Sequence, residues 1–572
     1  MTSLAATVRM TLPRARRPHP AGLLAAAEAS HLRVCALLLV MSLACFLPGF
    51  ASLQPMDRDE PRYAQASKQM LETGDFVDIR FQDEARHKKP VGVYWMQAAT
   101  VGIAESLGVA DARTSIAFYR IPSLLGALAT VLLTYWAALA FTTRRGAFLS
   151  AALMGASILL TVEARLAKTD AVLTACAVAV FGGLARAYLW RTSPKTLSWR
   201  TLALLWAGLA LGLLVKGPLI LLFGGLAALV LSLRERSAQW LLVLRPQWGA
   251  LATLLVVLPW FVAIAVKSGG AFFEASVGQD MLAKVGSGQE KHWGPPGYYL
   301  LAFFGTFWPG AVFAALAVPF AWAQRREDAI AFAWAWIVPA WLIFEAVPTK
   351  LPHYVLPLYP AIAIVTSIAI LRGFVTPRRT GATRSMLLVP FIPFGLAAGL
   401  VAAGLSFDRV VPFTALPFLI AATLVAFLSW RLFAKGRVTP ALLVALASSP
   451  LLALGVFGLA QGDLRSLKLS PRLAEVARAM PCEAEVATLG YREPSLVFLA
   501  GTRLEMLESG PEAAAFLAGG PCRVAFVESR FEADFRTEAA RLGLAPALST
   551  RVGGFNINGG RRLDLGVYSV TP

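Results

Sequence analysis

MDRDEPRYAQASKQMLETGDFVDIRFQDEARHKKPVGVYWMQ, Met56–Gln97, is the longest strongly polar interval in the first two thirds of the chain. An apolar run at 32–52 precedes it and several more follow. A membrane helix needs about 20 apolar residues, so the interval reads as an ordered loop between membrane spans. Loops of this length tend to carry function. Its acids Asp57, Asp59 and Glu60 stand where the chain leaves the bilayer, with Arg58 and Arg62 interleaved, and His87, Lys88 and Lys89 follow. Carboxylates beside cations at a membrane surface are suited to a phosphorylated lipid, because charge-assisted hydrogen bonds hold phosphate well.

The rest of the composition agrees. The 572 residues are 57% hydrophobic and 15% charged, against about 25% charged in a soluble domain. The expected class is therefore an all-α polytopic membrane protein. Apolar runs at 32–52, 115–141, 146–165, 169–190, 200–216, 218–234, 248–267, 297–323, 329–347, 355–373, 385–407, 413–434 and 439–460 predict about thirteen spans. The net charge of +19 fits topology and contact with anionic lipid. No polar segment is large and basic enough to suggest nucleic acid. Arg9, Arg14, Arg16 and Arg17 place the N-terminal tail (1–31) in the cytoplasm, and the first span reads as a retained anchor. Alternate loops are then basic throughout, as the positive-inside rule requires. The polar loop 53–114, the loop 268–296 and the C-terminus fall outside.

The membrane part covers 32–460. Past it, short apolar runs (Glu485–Leu489, Ser495–Phe498, Arg523–Val527, Leu565–Val570) alternate with helical stretches (Pro471–Ala479, Phe531–Leu542). That pattern predicts a small extracytoplasmic α/β domain at 461–572, with a hairpin turn in GGFNINGG (Gly553–Gly560). Cys482 and Cys522 would pair in an oxidising compartment, and two free thiols are an equal alternative. Cys35, Cys45 and Cys176 lie in apolar spans and read as small core residues.

Asp59 and Asp170 come from different outer loops. Ionisable groups near the membrane are costly and default to function, although either would also serve as a helix N-cap. Arg62, Lys88, Lys89, Lys216 and Lys350 fall on the same side, and Tyr354 in KLPHY would add a donor. Interfacial lysines often only snorkel, but Lys216 sits in a turn with little else to do. His87, His292 and His353 share the outer face as metal candidates. They lack close ligand spacing, and polar residues at a cavity mouth are their plainer reading.

The chain resembles the GT-C membrane glycosyltransferases that use polyprenyl-phosphate sugars, above all the aminoarabinose lipid A transferase (ArnT) group, related to protein O-mannosyltransferases. The resemblance rests on DEPRYA (Asp59–Ala64), MLETGDF (Met70–Phe76), KKPVGVYW (Lys88–Trp95), LAKTDAVL (Leu166–Leu173), KGPL (Lys216–Leu219), LPWFVAIA (Leu258–Ala265) and KLPHYVLP (Lys350–Pro357). It implies a GT-C helical core with an outer C-terminal domain in a bacterial inner membrane. It implies that Asp59 and Asp170 line the active cavity, and that Arg62, Lys89 and Tyr354 contact donor phosphate or acceptor; Tyr63, Lys216 and Lys350 are further candidates for that contact. The family often has Glu where this chain has Lys88, and a metal-holding His where it has Asp280. A Lys88–Asp280 ion pair is expected to replace a metal bridge there. No cofactor is firmly required, and a divalent metal stays open.

The implied reaction moves a sugar from a polyprenyl-phosphate donor to lipid A or a related envelope glycan. A phosphate leaving group needs cationic stabilisation. Asp59 would orient an anionic acceptor, or act as general base on a hydroxyl. Transfer of galacturonic acid or a hexose to lipopolysaccharide core, and protein O-glycosylation, share most of these motifs. A sugar-lipid transporter predicts internal repeats and charges at the midplane. Here the charges gather at one interface, and no repeat is visible.

Overall fold

The computed structural model describes residues 29–55, 58–193, 196–282 and 293–570. The basic tail before Ala29, Asp57, Lys195 and His292 lie outside the described residues, as does the side chain of Asp280, so the expected Lys88–Asp280 pair is not among the contacts described below.

The chain is a multi-pass helical membrane protein. Among the described residues, nine helices are long and apolar enough to cross a membrane. The other four expected spans fall on helices that are short or interrupted, so length and composition do not give the count of thirteen. His31–Phe46 has 16 residues and Leu219–Glu235 has 17. The expected span 146–165 is broken at Ser157, and 297–323 is broken between Thr306 and Ala311. The two breaks meet, since Ile158 N–H donates to the Trp308 carbonyl at 3.2 Å. Irregular backbone at membrane depth is tolerated where protein satisfies its polar groups.

Helix Asp170–Leu189 is the axis of the bundle. Every side chain from Asp170 to Tyr188 is buried, as expected of a helix that is apolar all round. Its small residues admit close neighbours: a Cβ at Gly182 would stand 2.0 Å from the Trp136 ring. Helix Pro246–Ser268 is peripheral, with Leu255, Val262 and Val266 exposed on a lipid-facing side.

Loop 53–114 folds as helix Asp59–Thr73, a short hairpin of β1 (Arg80–Phe81) and β2 (Glu84–Ala85), and helix Gly92–Ser106. The loop lies between the bundle and the C-terminal domain. Lys68 Nζ donates to the Phe498 carbonyl at 3.2 Å, and Gln65 Nε2 donates to Thr502 Oγ1 at 2.7 Å.

The C-terminal sheet comprises β3 (Glu485–Leu489), β4 (Glu505–Leu507), β5 (Arg523–Glu528), β6 (Ala547–Asn556) and β7 (Arg561–Ser569) in the order β4-β3-β5-β7-β6. Strands β4, β3 and β5 are parallel, and β7 and β6 complete the sheet antiparallel. The β6–β7 turn falls at the end of the glycine-rich run. Ser495–Phe498, read as a strand, is part of helix Pro494–Ala500. A four-residue apolar run does not separate strand from buried helix, and Pro494 at the first turn favours the helix. Cys482 and Cys522 are joined, with Cα atoms 6.3 Å apart, just ahead of β3 and β5.

Candidate active site

One buried ion pair places the loop on the bundle. Arg120, fully buried in helix Ile116–Ala138, donates from Nε and Nη2 to the Glu60 carboxylate at 2.7 and 3.0 Å. Its remaining N–H groups donate to the carbonyls of Phe50, Leu53 and Gln54 at 2.8 to 3.1 Å. Glu60 also accepts from the Ala167 N–H at 2.9 Å. The end of the first span, the start of helix Asp59–Thr73 and the turn before Asp170 are thereby held together. Burying a pair this fully is tolerated because each charge is multiply hydrogen-bonded.

Asp59 is the first residue of its helix, with Arg58 at the cap position and no capping side chain, so Asp59 does not take the N-cap place. Asp170 likewise opens its helix after Thr169. Lys216, at the end of helix Trp199–Lys216, donates to Asp170. His353 Nε2 lies 3.8 Å from Asp170 and its Nδ1 lies 3.7 Å from Glu163. Lys168 Nζ is 3.8 Å from Glu163. Asp59 is 3.8 Å from Arg86, whose guanidinium lies 5.0 Å from the centre of the Tyr63 ring. Lys168 and His353 act electrostatically on both Asp59 and Asp170, which puts the two aspartates in one electrostatic setting.

Burial pushes the Asp59 carboxyl up, but Lys168, Arg86 and Arg62 outweigh it, and the group titrates below the usual carboxylate range. Burial, with the neighbouring Tyr94, Asp59 and Asp170, pushes the Tyr63 phenol well above its ordinary value, so it stays a neutral donor.

The other expected residues are distributed unevenly. Tyr354 lies with its ring 5.6 Å from the Lys216 ammonium. Lys89 is half-buried just before Pro90, which abuts the turn after Lys216: a Cβ on Gly217 would stand 3.8 Å from Pro90 Cγ. Lys350 turns elsewhere and donates to the carbonyls of Phe344 and Glu345 at 2.7 and 2.6 Å, where it satisfies the end of helix Asp328–Ala346. His87 pairs with Asp78 at 2.7 Å and packs against Phe272, apart from His353. Lys88 is exposed. Sequence reasoning missed Arg86, Glu163, Lys168 and Arg120. For Arg120 the available signal was an arginine within an apolar run.

Among the described residues, one group of His, Asp and Glu side chains brings ligand atoms within 4.8 Å of one another: Glu163, Asp170 and His353. The donor set suits a metal poorly. Lys168 and Lys216 already neutralise the two carboxylates, and a divalent ion would sit against two ammonium groups.

Comparison with known proteins follows the same division of the chain. Residues 34–270 match the family model described as dolichyl-phosphate-mannose-protein mannosyltransferase. An undecaprenyl phosphate-alpha-4-amino-4-deoxy-L-arabinose arabinosyl transferase of Pseudomonas fluorescens is 28% identical over 347 residues, covering 60% of this chain and 59% of that protein. A protein of the same name from Pectobacterium carotovorum is 25% identical over 383 residues, covering 66% of each. The crystal structure of ArnT from Cupriavidus metallidurans bound to undecaprenyl phosphate superposes with a TM-score of 0.70 at 19% identity, over 94% of this chain and 97% of that one. Over residues 34–270 the chain is similar to the mannosyltransferase family, and its fold is that of ArnT. The chain spans about three fifths of the length of the Pseudomonas arabinosyl transferases it matches. The likeness of fold to ArnT extends further and takes in nearly the whole chain.

Proposed function

We propose that this protein is a GT-C glycosyltransferase that moves a sugar, most simply 4-amino-4-deoxy-arabinose, from undecaprenyl phosphate to lipid A on the outer face of a bacterial inner membrane. The observation that carries this reading is the gathering of Asp59 and Asp170 with Arg62, Arg86, Lys168 and Lys216 at one end of the bundle. In the reaction the bond from the sugar's anomeric carbon to the donor phosphate oxygen breaks, and an acceptor oxygen bonds that carbon. Negative charge accumulates on the departing phosphate, and preorganised cations stabilise it most where water is excluded. Lys216, Lys89 and Arg62 are assigned that role. Asp170 holds the Lys216 ammonium in place. Asp59, kept ionised by its neighbours, orients the acceptor and stabilises positive charge developing on the sugar.

A cavity of about 310 Å3 lined by Phe303, Trp334, Trp341 and other apolar residues suits the isoprenoid chain. It adjoins the buried Tyr299, whose ring lies 5.4 Å from the Lys350 ammonium and 6.5 Å from the Trp341 ring. The orientation proposed is N-terminus in the cytoplasm and C-terminal domain in the periplasm, with thirteen spans. Basic alternate loops and the Cys482–Cys522 bond support it.

Purified protein given undecaprenyl-phosphate aminoarabinose and lipid A should yield lipid A heavier by one sugar. The Asp59→Asn and Asp170→Asn variants should not. Lipid A left unmodified by the wild-type protein, with another envelope glycan modified instead, would reassign the acceptor.

A further inference from the structure

The C-terminal domain carries a crevice that the proposed transfer chemistry does not use. Strand β3 connects to β4 on one side of the sheet, whereas the chain leaving β5 leads to β6 and β7 on the other. The carboxyl ends of β3 and β5 therefore flank a topological switch point, where open parallel sheets bind ligands. Gly490 sits there with a φ of +92°, and a Cβ on it would stand 2.3 Å from Glu528 Oε2. Only glycine lets the two strand ends approach this closely. The resulting cavity measures about 500 Å3, and Arg58, Arg492, Arg530 and Arg561 line it.

Its charge is layered. Glu493 and Glu528 are buried beneath, 4% and 5% exposed. Glu528 holds Arg561 at 2.9 Å and Arg530 at 3.0 Å. Glu493 accepts from Asn556 and Asn558 at 3.0 and 2.9 Å and lies 3.5 Å from Arg58. The guanidinium groups stand above, with side chains 39% to 52% exposed. The buried acids thus fix Arg58, Arg530 and Arg561, while Glu508 at the rim pairs with Arg492 at 3.0 Å, so the face presented to solvent carries four guanidinium groups against one exposed carboxylate and is rich in donors. Planar guanidinium forks match phosphate and carboxylate oxygens. Arg58 reaches this crevice from the first outer loop, and the next residue is Asp59.

We propose that the crevice seats the anionic saccharide headgroup of the acceptor, with Arg492 and Arg561 on its phosphate or carboxylate groups, and so presents the acceptor beside Asp59. The identity of the ligand as acceptor rests on the glycosyltransferase reading. The binding of an anionic saccharide does not.

The full chain in nanodiscs should bind the bisphosphorylated glucosamine disaccharide obtained by deacylating lipid A, and should bind a neutral disaccharide of the same size far more weakly. Arg492→Ala and Arg561→Ala should each weaken binding about tenfold. Arg541→Ala, on an exposed arginine paired with Glu538 and outside the crevice, should leave binding unchanged. In the transfer assay the two crevice variants should raise the acceptor KM more than they lower kcat. Arg492 is exposed and pairs with Glu508 at the surface, so its variant tests the idea even if Arg561→Ala misfolds. Undetectable binding, equal binding of the neutral disaccharide, or equal binding by Arg492→Ala would overturn the proposal. Binding through these arginines by a protein that transfers no sugar would instead overturn the glycosyltransferase reading and leave the anionic site standing.

Discussion

Asp59 and Asp170 sit among the same cations but differ in what neutralises them. Asp170 is buried against Lys216, whereas Asp59 is partly open and faces Arg86. Asp59→Asn should therefore abolish the orienting charge, with transfer falling at least about 100-fold while the melting temperature drops only slightly, by the small stability the partly open carboxylate contributes. Lys216→Met leaves a buried carboxylate without its ammonium, and a loss of about 3–5 kcal/mol in stability is expected alongside lost transfer. The pH dependence follows from the sign of the Asp59 shift. A carboxyl whose folded pKa is depressed contributes stability that is present above its unfolded value and is lost as pH falls through the folded one. Asp59 should thus stay ionised, and transfer should show no loss from its titration down to about pH 5. An acid limb near neutrality that disappears in Asp59→Asn would contradict the shift. Both aspartates were legible because an ionisable residue at the edge of an apolar run is conspicuous. Arg86, Glu163 and Lys168 were not, because a sequence with 53 basic and 34 acidic residues does not say which of them converge.

Among the elements, helix Asp170–Leu189 and the loop helix Asp59–Thr73 set the geometry. The first depends on small residues. Gly182→Ala drives a methyl into Trp136 and should cost about 1–3 kcal/mol by overpacking, read as a lower melting temperature in detergent. The second depends on Glu60 and Arg120. Breaking that pair with Arg120→Met should be worse than replacing both residues with apolar ones of similar volume, because the single change strands a buried carboxylate. Hydropathy located nine of the thirteen expected spans on helices long and apolar enough to cross a membrane, since apolar runs of that length admit few other readings. It did not reveal the breaks at Ser157 and after Thr306, which are fixed by a contact between helices distant in sequence. Strand β4 was also missed. Three residues, Glu505–Leu507, are too few to carry a period, and the strand exists because β3 offers it an edge.

At the scale of the whole molecule, a helical bundle and a sheet domain enclose the first outer loop between them. Thiol labelling of the purified, denatured protein should find three free cysteines before reduction and five after it, consistent with a bonded Cys482 and Cys522. Because the buried carboxylates are already matched by lysines, prolonged chelation should leave transfer within about twofold of its starting rate. Loss of activity that zinc restores would show that a divalent ion has a place among these residues. The most direct test of the proposed reaction is mass spectrometry of lipid A from cells that carry the gene, lack it, or carry the Asp59→Asn variant. The expected result is a sugar-sized mass present only with the wild-type gene. An identical lipid A profile in all three would contradict lipid A as the acceptor.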